Sequence, residues 1–102
     1  MIETTTAQTA EAAAQGAQII DVREDFEVAE GMIPGARHIP MGQVLARLDE
    51  LDKGRPVSVV CRSGNRSGRV AEALTSLGYE AYSVAGGMMQ WQAEGRRVEI
   101  PA

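Results

Sequence analysis

The chemistry in this chain gathers at its one cysteine. Val57-Ser58-Val59-Val60 is a short apolar, β-branched run that reads as a buried strand. Cys61 follows at once, then Arg62-Ser63-Gly64-Asn65-Arg66, and Ser67 opens a helical pattern carried by Val70, Ala71, Leu74 and Leu77 and stopped by Gly78. The order is strand, tight loop, helix, with a thiol at the carboxyl end of the strand, the edge at which open α/β sheets bind ligands. A turn feeding a helix N-terminus leaves several backbone N–H groups without intrahelical partners. Curled inward, they make an anion-binding nest reinforced by the helix dipole. Those donors, with Arg62 and Arg66, act to lower a thiol pKa, so the expected product is a nucleophilic sulfur ionised near neutral pH. The competing reading is an inert buried cysteine. Its polar and cationic neighbours argue against that.

The rest of the chain must position this loop. At 102 residues it is expected to be one domain, spanning 1–102, with room for a real core but not for two. Hydrophobic residues make up 44% and charged residues 24%, ordinary values for a soluble globular protein. No apolar stretch approaches the roughly 18 residues of a membrane span. The Met1-Ile2-Glu3-Thr4 start shows no basic region followed by an apolar one, and a lone cysteine forms no internal disulfide. Together these lead to the expectation of a cytoplasmic protein without a membrane partner. A net charge of −4 with no basic tract argues against nucleic-acid binding.

In chain order, residues 2–5 suit a first strand. Thr5 with Gln8 fits a capping box for an Ala-rich helix to Gln15, ended by Gly16. Ala17 to Val22 reads as a second strand. It is followed by an acidic helical turn over 25–30, a Pro34-Gly35 turn, and a third strand over 36–39 stopped by Pro40. Val44, Leu45, Leu48 and Leu51 form an apolar stripe at helical spacing. Glu80 to Val84 alternates as a fifth strand. Gly86-Gly87 turns into a last helix with Met88, Met89 and Trp91, and residues 96–100 return as an extended tail. Strands alternating with helices argue for a parallel sheet covered on both faces.

Two families compare at the loop. Cysteine phosphatases place five residues between Cys and Arg; here Arg66 follows four, and Ser67 stands where their arginine would fall. The shorter loop resembles that of the rhodaneses, the thiosulfate sulfurtransferases. Ile20-Asp21-Val22-Arg23-Glu24 is similar to their Asp-Val-Arg-Glu signature, and Glu30-Gly31-Met32-Ile33-Pro34-Gly35-Ala36 to their Gly-His-Ile-Pro-Gly-Ala motif, with Met32 in place of the usual His. Gly86-Gly87-Met88 with Trp91 is similar to their closing Gly-Gly-Met…Trp motif. The four matches stand in family order over roughly residues 18–98. The resemblance implies an α/β three-layer domain with a five-stranded, mainly parallel sheet and helices on both faces.

It also implies an activity: Cys61 takes the sulfane sulfur of thiosulfate as a persulfide inside the ring Arg62, Ser63, Gly64, Asn65, Arg66 and Ser67. A thiophilic acceptor, cyanide or a thiol, then removes it. No metal or organic cofactor is needed. Arg62 is the better candidate for the sulfonate end of the donor, while Arg66 either shares that role or braces the loop. Mercaptopyruvate-specific relatives resemble a less charged Cys-Gly-Ser/Thr-Gly loop, so the two arginines point to a dianionic donor. Asp21 and Arg23 either flank the mouth of the site or form a structural pair, and the structural role is favoured because a sulfur relay needs no second acid. His38, the one histidine, lacks metal-ligand spacing with Cys61 and is expected in the sheet rather than in catalysis. Two alternatives stay open: a sulfur carrier loaded by a partner protein, and phosphatase or arsenate reductase chemistry.

Overall fold

The computed structural model describes residues 2–101. Its five strands are β1 (Ile2–Thr4), β2 (Gln18–Asp21), β3 (Arg37–His38), β4 (Val57–Val60) and β5 (Ala81–Val84). They form one sheet in the order β1-β5-β4-β2-β3, with every neighbouring pair parallel. The helices are α1 (Thr6–Ala14), α2 (Asp25–Val28), α3 (Asn65–Ser76) and α4 (Gly87–Ala93). β4 therefore lies at the centre, and Cys61 leaves the sheet from its middle strand.

Both faces of a central parallel strand are covered, which is why β4 carries no polar alternation. Ile20, Val57, Val59 and Ala81 pack on one face with Val70, Ala71 and Leu74 of α3. Ile19, Val60 and Val84 pack on the other with Met88 and Trp91 of α4 and, at the margin, Ala10 and Ala13 of α1. Adjacent residues of one strand thus enter opposite cores, the period-2 rule applied to a strand buried on both sides. Trp91 is a core anchor, as expected, with its indole N–H donating to the Arg97 carbonyl oxygen at 2.9 Å.

The expected capping box is present: Thr5 Oγ1 accepts from Gln8 N at 3.0 Å, and Gln8 Oε1 accepts from Thr5 N at 3.0 Å. The expected helical stripe over 41–51 is not one helix. The segment folds as two 3₁₀ stretches, Met41–Gln43 and Leu45–Glu50, with Arg47 out of helical geometry at φ −122°. Only Val44, Leu48 and Leu51 of the stripe reach the core, and Leu45 is 64% exposed, so packing does not require a continuous α-helical face. Arg47 instead pairs locally with Glu50 at 2.6 Å. The tail returns as expected but antiparallel, through a bridge between Met32 and Glu99. Among the described residues, no helix is long and apolar enough to cross a membrane.

Candidate active site

The loop between β4 and α3 forms as its sequence dictates, with one change of boundary. α3 begins at Asn65 rather than Ser67, because Gly64 serves as its N-cap at φ +111°. That conformation is open to glycine and strained for other residues. Half of the expected ring is therefore the first turn of the helix, whose free amides already point along the axis toward the cysteine.

Cys61 is 1% exposed, but its surroundings are polar. Its Sγ accepts from Gly64 N at 3.1 Å and lies 3.4 Å from Ser67 Oγ. Burial pushes the thiol up. The Ser67 hydroxyl and the backbone N–H groups of Ser67, Gly64 and Ser63 act the other way and prevail, leaving Cys61 below its ordinary value. These hydrogen bonds favour a negative charge on the sulfur, and they act in a buried place, where they are strongest.

α4 builds the outer wall of the loop. Met88 N donates to the Cys61 carbonyl oxygen at 2.9 Å and Met89 N to that of Arg62 at 3.0 Å. Gly87 makes the approach possible: a Cβ there would stand 2.6 Å from the Arg62 carbonyl oxygen, and closer still to that of Cys61. This explains Gly86-Gly87 beyond a turn signal.

The expected residues separate into three groups. Arg62, Ser63 and Asn65 are exposed, and Arg62 lines a cleft of about 340 Å³ with Arg23, Phe26, Glu27, Glu30 and Met89. Arg66 is turned aside, its guanidinium held by both Glu27 carboxylate oxygens at 2.7 and 2.8 Å. That hydrogen-bonded pair brings Glu27 down to about 2, so Arg66 braces the loop. Asp21 and Arg23 form a buried pair at the end of β2, in register beside the end of β4. Asp21 accepts from Arg23 N, Nε and Nη2 at 3.1, 3.0 and 2.8 Å, and Arg23 Nη2 also donates to the Gly31 carbonyl oxygen at 2.8 Å. Their carboxylate and guanidinium are thus engaged with each other and with the loop backbone, and Arg23 still reaches the cleft wall. His38 Nε2–H donates to the Arg23 carbonyl oxygen at 2.7 Å, a bracing contact.

Sequence reasoning missed two members of this arrangement. Glu27 gave no signal, since nothing in its spacing ties it to residue 66. Ser83 did: a serine within a buried strand requires a polar partner, and its Oγ meets that of Ser67 at 2.8 Å. Among the described residues, no cluster of three or more His, Cys, Asp or Glu could hold a metal ion.

This geometry has relatives. A family model described as Rhodanese-like domain matches residues 5–94. The Bacillus subtilis strain 168 protein YtwF is 50% identical over 76 residues, 74% of this chain and 74% of its own length. Thiosulfate sulfurtransferase GlpE of Pseudomonas putida strain KT2440 is 38% identical over 80 residues, 78% of this chain and 73% of its own. The crystal structure of a rhodanese-like domain protein from Staphylococcus aureus superposes with a TM-score of 0.88 at 38% identity, covering 100% of both chains. With its central-strand cysteine, its four-residue loop to Arg66 and relatives that include a sulfurtransferase, the chain belongs to the rhodanese-like domain family.

Proposed function

We propose that the protein is a thiosulfate sulfurtransferase working through a persulfide on Cys61. The observation that carries this reading is the sulfur seated at the N-terminus of α3, with Gly64 N 3.1 Å away. In the first step the Cys61 thiolate attacks the sulfane sulfur of thiosulfate. The sulfur–sulfur bond of the donor breaks and its electron pair departs with sulfite. In the second step cyanide or a thiolate attacks the outer sulfur, and the pair of the broken bond returns to Cys61 Sγ. This is double-displacement covalent catalysis. Unpaired amides of the first turn of α3 hold the charge on the outer sulfur, as oxyanion-hole donors hold a developing oxyanion.

Arg62, exposed on the cleft wall and free of any ion pair among the described residues, binds the sulfonate end of the donor. Ser63, Gly64, Asn65 and Ser67 complete the cradle, Arg66 supports it from behind, and Asp21 and Arg23 fix the neighbouring strand end. Phosphoryl chemistry is disfavoured, because the loop is one residue short for a phosphate and its arginine is occupied by Glu27.

Initial rates of thiocyanate formation at varied thiosulfate and cyanide test the proposal. Parallel double-reciprocal lines are expected, with Cys61→Ser inactive; transfer that survives in the serine variant would refute it. A second reading has its own observation: Phe26 and Met89, at the edge of the cleft, are 76% and 54% exposed. Apolar side chains beside a reactive sulfur suit a protein that gives or takes the sulfur atom, so the chain would then serve as a carrier. Loading by a persulfidated protein much faster than by thiosulfate would favour that reading.

A further inference from the structure

Ser67 and Ser83 are both fully buried, on α3 and β5. Their oxygens are 2.8 Å apart, and Ser67 Oγ is 3.4 Å from Cys61 Sγ. Among the described residues, Ser67 is the only side-chain partner of Ser83. Sulfur and two hydroxyls therefore form a short line with no solvent end. A buried hydroxyl is costly without a partner, and an apolar residue would suit this strand position if packing were its only duty.

Counting protons shows what the line does. While Cys61 is a thiol, its S–H donates to Ser67, and either serine hydroxyl can donate to the other. Once the sulfur is ionised it only accepts. Ser67 must then turn its O–H to the sulfur, and Ser83 must turn to donate into the lone pair that Ser67 exposes. Ionisation thus fixes a single direction, from Ser83 through Ser67 to the sulfur, and each bond polarises the next. We propose that Ser83 is a positioning residue for Cys61: by donating to Ser67 it fixes the Ser67 hydroxyl on the ionised sulfur.

The consequence for transfer rests on the persulfide reading. In the persulfide the negative charge sits on the outer sulfur, and Cys61 Sγ is a poor acceptor. When an acceptor attacks the outer sulfur, that bond breaks and its electron pair returns to Cys61 Sγ, where Ser67 and Ser83 receive it. The pair of serines thus favours departure of the cysteine more than it favours the loaded state.

Several charges also face Cys61: Arg62 from the loop, Arg66 with Glu27 from α3 and α2, and the Asp21–Arg23 pair from β2. α4 brings no titratable group, Tyr82 on β5 is hydrogen-bonded to Glu80, and Arg69 and Glu72 of α3 are exposed. None of these changes between the variants that test the inference.

The test is the rate of Cys61 alkylation by iodoacetamide against pH in the wild type, Ser83→Ala, Ser67→Ala and the double variant, with folding followed by circular dichroism. Ser83→Ala removes one oxygen and adds no bulk. The expected result is a fall of about three- to tenfold at neutral pH, the effect of one hydrogen bond, with the midpoint displaced upward. In the Ser67→Ala background, Ser83→Ala is expected to change nothing further. A Ser83→Ala titration like the wild type, or an equal effect with Ser67 absent, would overturn the inference. Alkylation needs no sulfur donor, so these results stand whether or not thiosulfate loads the protein. Single-turnover discharge of the persulfide by cyanide, expected to slow in Ser83→Ala, tests the transfer consequence separately.

Discussion

Arg66 and Glu27 meet through two parallel hydrogen bonds, Nη1 to Oε1 at 2.7 Å and Nη2 to Oε2 at 2.8 Å, and so tie the first turn of α3 to α2. Glu27 Oε1 also accepts from Glu24 N at 3.0 Å, so one carboxylate closes α2 and anchors the cysteine loop. Planar, bidentate pairing of this kind is more specific than an ordinary surface ion pair. Glu27→Gln is expected to cost about 1 kcal/mol at neutral pH. Hydrogen bonding to Arg66 lowers Glu27 from 4.5 to about 2, so its stabilisation is fully present above 4.5 and is lost as pH falls toward 2. Urea denaturation of wild type and variant from pH 7 to about 2 checks this sign. The two curves should converge on the acid side.

Gly87 separates a constraint of the loop from a constraint of chemistry. Its φ is +53°, and a side chain there would collide with the Cys61 and Arg62 carbonyls. Gly87→Ala is expected to destabilise the fold by about 2 kcal/mol or more, from backbone strain together with the clash. The two hydrogen bonds from Met88 N and Met89 N should loosen with it. Denaturation midpoints and faster amide exchange at Met88 and Met89 would report both effects.

Asp21 and Arg23 predict a stability effect without a need for chemistry. Both side chains are buried, and each is the other's charge partner. Removing one leaves an uncompensated charge in the interior, so Asp21→Ala should cost about 3–5 kcal/mol. Asp21→Ala with Arg23→Met should recover part of that loss. Thermal denaturation of the single and double variants measures it.

Arg62 makes the opposite prediction. It is exposed and carries no ion pair among the described residues, so Arg62→Gln should leave the denaturation midpoint within about 0.5 kcal/mol of wild type. If it binds the sulfonate, the apparent KM for thiosulfate should rise about tenfold, an effect that shrinks as salt is added. Steady-state rates at two ionic strengths decide the point.

Much of this was readable before any coordinates. The β-branched run 57–60, the lone cysteine and the glycine-bounded helix name a strand, a thiol at its end and a helix N-terminus in order, because each rests on contacts close in sequence. The capping box of Thr5 and Gln8 was legible for the same reason. What stayed hidden depends on contacts distant in the chain. Glu27 meets Arg66 only when α2 and α3 are brought to one sheet edge, and Ser83 meets Ser67 only when β5 lies beside β4. Segment 41–51 misled for a different reason. Its apolar spacing suits an α-helix, but packing engages Val44, Leu48 and Leu51 and leaves Leu45 in solvent, and two 3₁₀ stretches satisfy that with a break at Arg47.

The central claim is that Cys61 carries a sulfur atom between two substrates. The most direct measurement is the intact mass of the protein after brief incubation with thiosulfate, before and after cyanide, with Cys61→Ser alongside. The account predicts a gain of one sulfur atom in the wild type, no gain in the variant, and return to the starting mass with release of thiocyanate. A folded protein with a free Cys61 thiol that gains no sulfur would contradict it.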